Sequence, residues 1–198
     1  TPDKPENISV GRTRIAEHLQ EGSIEVTIKS VTKGVVIELV RDVSQYDVLI
    51  GTTRSGAAVG ALLRIIHGKP LIVDHVDPIE QYYETHPWPL AKFVEILENI
   101  SFLTADHVLF VYEQERKRVE RYAKNVTKTS LGVNFEQFRF PEKSVLNEAR
   151  QRLDELEVSG KTAIYVGGLE PMYNIENMII AFQRLEEWTL IILGSGSL

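Results

Sequence analysis

The sequence predicts an α/β protein: a parallel β-sheet with helices on both faces, followed by the truncated opening of a second unit of the same kind. Three observations carry this. Short apolar runs recur along the chain at intervals that leave room for a helix between them. Those intervals show helical periodicity, with apolar residues returning every three or four positions. Several of the runs end in glycines or aspartates, the residue types expected where a parallel sheet meets its ligands beyond the carboxyl ends of the strands.

The elements follow in order. Thr1-Pro2-Asp3-Lys4-Pro5 reads as a loop entered from a strand that is not present, and Ser9-Val10-Gly11-Arg12 as the turn into an amphipathic helix over Thr13–Gln20, with Ile15, Ala16 and Leu19 on one face. Glu25–Ile28 reads as a short strand. Val35–Val43 fits either a strand or a helix. Asp47–Ile50 is predicted as a buried strand, residues Gly51 to Gly56 as a loop, and Ala57–Ile66 as a small-residue helix ended by His67-Gly68. Pro70–Val73 is the next strand and delivers Asp74-His75-Val76-Asp77-Pro78 to its carboxyl end. A shaped loop with a short helix spans Ile79 to Pro89, and Leu90–Leu103 is an amphipathic helix. Val108–Val111 is a strand, Glu113–Tyr122 a charged helix, and Thr127–Ser130 leads to Leu131-Gly132-Val133-Asn134. Leu146–Leu156 is helical. Thr162 to Leu198 then holds two apolar runs, Ala163–Val166 and Thr189–Leu193, each running into glycines with a helix between them.

A domain boundary is expected where charge density rises and turn signals cluster, giving residues 1–140 and 141–198. The first part carries a sheet of about five strands. The second is too short to bury a core of its own and reads as an incomplete domain.

Composition narrows the function classes. A net charge of −6 argues against a general nucleic-acid binder, which shows a basic face. The cluster Glu115-Arg116-Lys117-Arg118 with Arg121 mixes signs at helical spacing and reads as a solvated helix face. With no cysteine, disulfides, thiolate metal sites and thiol nucleophiles are excluded, which fits a cytoplasmic protein. No apolar run is long enough to span a bilayer. The composition leaves peripheral membrane association and the oligomeric state open.

Gly167-Gly168 and Gly194-Ser195-Gly196, with the helix between them, have the outline of a nucleotide-diphosphate site, because glycines admit close backbone approach and helix N-termini offer free N–H groups. Neither pair matches G-x-G-x-x-G or a P-loop. A dinucleotide-dependent dehydrogenase is therefore disfavoured. A plain strand-to-helix turn needing positive φ is the structural alternative.

Four stretches in order, "PENISVGRTRIAEHLQEGSIEVTI", "KPLIVDHVDP", "SLGVNFEQFRFP" and "YVGGLEPMYNIENMIIAF…LIILGSGS", make the chain resemble the family 4 glycosyltransferases of the GT-B fold, built of two facing Rossmann-like domains. The resemblance implies an N-terminal acceptor-side domain and the start of a donor-binding domain. It implies transfer of a hexose from a nucleotide-activated donor to a sugar or lipid-linked acceptor with retention of configuration, and neither a tightly held cofactor nor a metal. Donor phosphates would lie against Gly11, Arg12, Gly167, Gly168, Gly194, Ser195 and Gly196. Asp77 would be the catalytic-side aspartate, with Thr53, Arg54 and His75 on the acceptor side.

Each position also has a structural alternative: a solvated helix-start arginine for Arg12, an Asp-Pro turn for Asp77, and a helix N-terminus capped by Ser55 for the Thr53–Ser55 stretch. Two positions depart from the family pattern. Gly168 stands where an arginine is expected and Tyr173 near an expected lysine, both cations that grip the diphosphate. The carboxylate pair of the donor domain would lie past Leu198, so the fragment by itself is expected to be inactive. The competing expectation is a non-catalytic Rossmann-like binding or scaffold module that has lost those cations.

Overall fold

Leu71, Val73, Val108 and Phe110 alternate along two adjacent strands and are almost wholly buried, which places one face of a parallel sheet against helices. This computed structural model describes residues 10–132, 135, 139, 141–156, 158 and 160–198, without the side chains of residues 10–14 and 172. The chain forms two compact units, Thr1–Val133 and Asn134–Leu198.

In the first unit the elements are α1 (Val10–Glu21), α2 (Lys33–Arg41), β1 (Leu49–Thr52), α3 (Thr53–His67), β2 (Leu71–His75), α4 (Ile79–Thr85), α5 (Trp88–Thr104), β3 (His107–Phe110), a 3₁₀ turn (Glu113–Glu115), α6 (Arg116–Tyr122) and β4 (Val126–Lys128). The strands lie in the order β1-β2-β3-β4, all parallel, with Leu49 opposite Leu71, Ile72 opposite His107 and Val108 opposite Val126. The sheet is thus the α/β, helix-flanked arrangement predicted, with four strands among the described residues where about five were expected.

Several local expectations shift. The helix α1 already includes Gly11 and Arg12, which the sequence placed in a turn. Glu25–Ile28 lies in no strand: among the described residues no ladder partner runs beside it, and alternation alone does not make a strand. Val35–Val43 resolves as helix α2 followed by a buried Val43, because the Thr32 hydroxyl accepts from the Val35 N–H at 3.3 Å and caps the first turn. The strand β1 reaches Thr52, and α3 starts at once, so the expected Gly51–Gly56 loop does not exist. Among the described residues β1 lies at the edge of the sheet and Ile50 is half exposed, so the strand is less buried than expected. Asp74 and His75 likewise belong to β2 itself.

The sharp entry into α3 rests on small residues. A Cβ on Gly51 would stand 2.8 Å from the Gly56 carbonyl oxygen, and one on Gly60 would stand 2.7 Å from Leu71 Cδ1. Ala57 and Ala61 then join Phe102, Ala105 and Val119 over the sheet to form the core. At the far end Gly68, at φ 71°, closes α3 through its N–H to the Arg64 carbonyl.

The second unit holds α7 (Lys143–Glu155), β5 (Lys161–Val166), a 3₁₀ turn (Pro171–Tyr173), α8 (Ile175–Phe182) and β6 (Trp188–Leu193). Its two strands pair in parallel from Lys161 opposite Trp188 to Val166 opposite Leu193. Among its described residues Ile175 is the one buried core side chain, as a strand–helix–strand unit of this size requires. Among the described residues no helix is long and apolar enough to cross a membrane.

Candidate functional site

The carboxyl ends of β1 and β2 bring Thr53, Arg54, His75 and Asp77 to one small cleft of about 10 Å³, lined also by Asp74 and Glu98. That volume is room for about one water molecule. Arg54 organises it. Its Nη2 donates to the carbonyl oxygens of Asp77 at 3.1 Å and Pro78 at 2.8 Å, and its guanidinium lies 5.1 Å from the centre of the Tyr82 ring. The arginine thereby ties the first turn of α3 to the turn after β2 and leaves the Asp77 side chain exposed at the strand end.

Behind the cleft lies a set of buried charges; the sequence did not single out Glu98 and read Glu115 and Arg118 as part of a solvated helix face, whereas both side chains turn inward. Glu98 of α5 and Glu115 of the 3₁₀ turn are both 2% exposed. Glu98 Oε2 accepts from Arg118 Nη2 at 3.0 Å, and its Oε1 lies 2.9 Å from Arg54 Nε. This second contact lacks hydrogen-bond alignment and is Coulombic, since neither atom has a hydrogen-bond partner. Arg118 Nε donates to Glu115 Oε2 at 2.9 Å and Nη1 to Asn99 Oδ1 at 3.1 Å. His75, expected to face an acceptor, is buried: its Nε2 lies 2.7 Å from Glu115 Oε2, and its ring meets Phe102 edge-on at 5.0 Å. Two arginines and two glutamates thus balance inside the unit, and Arg54 is neutralised before it reaches the cleft. The available signal was Glu98 itself, a charge on the Ala91–Phe102 face of a largely apolar helix.

Burial pushes the Glu115 carboxyl up, but the hydrogen bonds from His75 and Arg118 outweigh it and hold the group at about 2. In the unfolded chain a glutamate titrates at about 4.3. A carboxyl lowered by folding adds stability that is complete above the unfolded value and is lost as pH falls from about 4.3 towards 2. Unfolding followed by circular dichroism between pH 6 and 2 is expected to show that loss, and Glu115→Gln to flatten it.

Thr53 sits at φ 61°, a left-handed conformation that costs a β-branched residue about 1 kcal/mol or more. Its Oγ1 accepts from the Gly56 N–H at 3.3 Å, so Thr53 and not Ser55 caps α3. Thr53→Asn, which keeps an acceptor and tolerates that conformation, is expected to stabilise the unit by up to about 1 kcal/mol in urea unfolding.

In the second unit the glycines turn out to serve backbone contact. The Gly167 N–H donates to Leu193 O at 3.0 Å and the Leu169 N–H to Ser195 O at 3.0 Å, so the strand-end loops continue the β5–β6 ladder. A Cβ on Gly194 would stand 1.9 Å from the Gly167 oxygen, and one on Gly196 would stand 2.1 Å from the Leu169 oxygen. None of these four glycines has positive φ, so close approach and not turn handedness requires them at 194 and 196. Tyr165 Oη donates to the Gly168 carbonyl at 2.9 Å, and the Tyr173 ring lies over Gly168, 3.1 Å from where a Cβ would be. The two departures from the family pattern therefore touch each other: the tyrosine occupies the space a side chain at 168 would enter. The side chain of Arg12 and the whole of Asn134 lie outside the described residues.

Among solved structures the fold matches that of Anabaena HepE in complex with UDP and glucose, with a TM-score of 0.71 at 16% identity. The match covers 98% of this chain and 59% of that one. The chain has a GT-B-like Rossmann fold. HepE in complex with UDP-glucose matches at TM-score 0.65 and 17% identity, covering 92% of this chain and 50% of that one. Sucrose-phosphate synthase from Thermosynechococcus elongatus matches at 0.52 and 14%, covering 85% and 53%. No family model and no curated protein sequence matches the chain. At these identities the GT-B likeness establishes the fold, and the chain spans about three fifths of the HepE chain. Among the described residues no three His, Asp or Glu side chains are grouped to hold a metal ion.

Proposed function

We propose that this chain is the acceptor-side domain and the opening of the donor-side domain of a cytoplasmic glycosyltransferase that uses a nucleotide-diphosphate sugar. The observation that carries the reading is the likeness, over nearly the whole chain, to a protein crystallised with UDP, with glucose and with UDP-glucose. In support, strand-end loops are where a parallel α/β sheet meets its ligands, and the cleft of Thr53, Arg54, His75 and Asp77 lies at such ends.

In this reading the acceptor hydroxyl attacks the anomeric carbon. The bond to the diphosphate breaks, and the hydroxyl proton leaves with the phosphate or to water. The new bond forms on the face the diphosphate leaves, which retains configuration. Asp77 faces the reacting sugar from a turn that Arg54 holds in place, while Thr53 borders the acceptor side and the buried His75 supports the strand end from behind. Within the second unit, Gly167, Gly168, Gly194, Ser195 and Gly196 are the proposed donor-phosphate rim; Gly11 and Arg12 are proposed phosphate contacts of the first unit taken by itself. With the tyrosine and glycine at 173 and 168, backbone N–H groups carry more of the diphosphate's charge at this rim than in the family pattern. In this reading residues 1–140 are the acceptor half and residues 141–198 belong to the donor half.

Calorimetric titration of UDP, GDP and ADP, then of UDP-glucose, into the protein carrying a complete donor half tests this. Heat with UDP, weakened about tenfold or more by Arg12→Ala, is the expected result. Silence with every nucleotide would overturn the reading in favour of a non-catalytic module.

A further inference from the structure

One peptide group anchors the turn that carries Asp77. Between Pro78 and Ile79 the carbonyl oxygen accepts from Arg54 Nη2 at 2.8 Å, and the amide N–H donates to Glu115 Oε1 at 3.4 Å. A cation thus faces the negative end of this peptide dipole and an anion its positive end, an arrangement that favours both charges. Pro78 is wholly buried, its ring holds φ at −59°, and it has no N–H of its own to satisfy. Asp77, one residue before it, is exposed at the strand end, and its carbonyl accepts from the same Arg54 nitrogen at 3.1 Å.

The two clamping groups are joined behind the turn. Arg54 Nε lies 2.9 Å from Glu98 Oε1, Glu98 Oε2 accepts from Arg118 Nη2 at 3.0 Å, and Arg118 Nε donates to Glu115 Oε2 at 2.9 Å. The peptide, Arg54, Glu98, Arg118 and Glu115 therefore form a closed ring in which cations and anions alternate. Glu98 and Glu115 are each 2% exposed, so opening any one contact leaves charge uncompensated out of water. A single tether would let the turn swing about it. A closed ring fixes the turn from both sides.

We infer that Glu98 and Arg118 are positioning residues of the proposed transfer. They act from behind the cleft, through Arg54 and Glu115, on the peptide next to Asp77, and their ion pair is the contact that closes the ring. A misplacement of about 1 Å at a reacting group costs on the order of a hundredfold in rate, so a turn this firmly held matters most where it presents a group to substrate. This role in transfer rests on Asp77 facing the reacting sugar, as proposed above, whereas the ring holds the turn whatever binds in front of it.

Glu98→Gln keeps the shape of the side chain and removes its charge, and Arg118→Met opens the ring at the next contact. In both variants of the intact chain, hydrogen exchange is expected to quicken at the Ile79 amide about tenfold or more beyond any change at the β3 amides, residues 107–110. A residue that only stabilised the unit would quicken both by the same factor. Should Arg118→Met not fold by circular dichroism, Glu98→Gln carries this comparison alone. The second readout is release of UDP from UDP-glucose to water by the protein carrying a complete donor half. There the bond from the anomeric carbon to the diphosphate breaks and water's oxygen takes its place. Glu98→Gln is expected to lower kcat about tenfold or more and to change KM by less than roughly threefold. In an Asp77→Asn background the same substitution should lower kcat no further, because the group it aims is already disabled. Ile79 and β3 amides that quicken together overturn the ring, and an undiminished Glu98→Gln effect in Asp77→Asn overturns its action through Asp77. A wild-type protein that releases no UDP overturns the transferase reading and with it the role in transfer, and the Ile79 exchange then decides separately whether the ring holds the turn.

Discussion

Replacing Glu98 with alanine is expected to destabilise the first unit by about 3–5 kcal/mol, the cost of leaving buried charges without their partner. Glu98 stands between two guanidinium groups, Arg54 on the cleft side and Arg118 behind it, with its own side chain almost entirely out of water. Removing the carboxylate leaves two like charges in a region that excludes the solvent needed to separate them. The loss should reach the site as well, because Arg54 is anchored at one end by Glu98 and holds the Asp77 and Pro78 carbonyls with the other.

Three variants separate the contributions. Glu98→Gln keeps shape and one acceptor and should cost about half as much. Combining Glu98→Ala with Arg118→Met should recover part of the loss, since the two residues are in direct contact. Guanidinium unfolding midpoints for the three give the comparison. If Glu98→Ala costs less than about 1 kcal/mol, water reaches the cluster and the account of it as a buried ionic core is wrong.

Gly194→Ala is expected to cost the second unit about 3 kcal/mol or more, and Gly196→Ala a similar amount. At both positions the added methyl would overlap a carbonyl oxygen of the facing loop, which is fixed backbone and cannot rotate away. To admit it the loops must part, breaking the ladder bonds from Gly167 to Leu193 and from Leu169 to Ser195. Gly168→Ala makes the useful contrast. Its Cβ meets only the edge of the Tyr173 ring at 3.1 Å, and a half-exposed tyrosine can turn aside, so the cost should stay below about 1 kcal/mol. Hydrogen exchange of the β5 amides, residues 161–166, reads the difference directly. Equal protection in Gly194→Ala and the wild-type chain would show that the loops are not zipped together, and the glycines would then need another explanation.

Most strands and helices were legible because each depends on a pattern within about a dozen residues. The small residues from Gly51 to Ala61 announced a helix lying close to its strand, and Gly68 announced its end. What misled was pairing. Glu25–Ile28 alternates like a strand, yet a strand exists only through its neighbour. The glycine-flanked runs of the second unit were read through what they might bind, whereas their spacing is set by one loop touching the other. His75 was ranked by its nearness to a strand end, but the alternation along β2 turns it inward with Val73, towards Glu115.

The cluster behind the cleft shows where sequence reading stops. Arg54, His75, Glu98, Glu115 and Arg118 come from α3, β2, α5, the 3₁₀ turn and α6, and no periodicity relates them. Glu98 alone carried a signal, as the charge on an apolar helix face, and it could not name its partners.

By itself, then, the amino-acid sequence determined the α/β class and the alternation of strands with helices. These follow from local periodicity and turn chemistry, which a chain carries in its nearest neighbours. Tertiary structure alone decided that Arg54 is neutralised and committed to two carbonyls, that His75 is buried against Glu115, and that Gly194 and Gly196 serve contact between loops. Each of those outcomes depends on residues far apart in the chain meeting out of water, where a charge must find an opposite charge and two backbones can touch only where no Cβ intervenes.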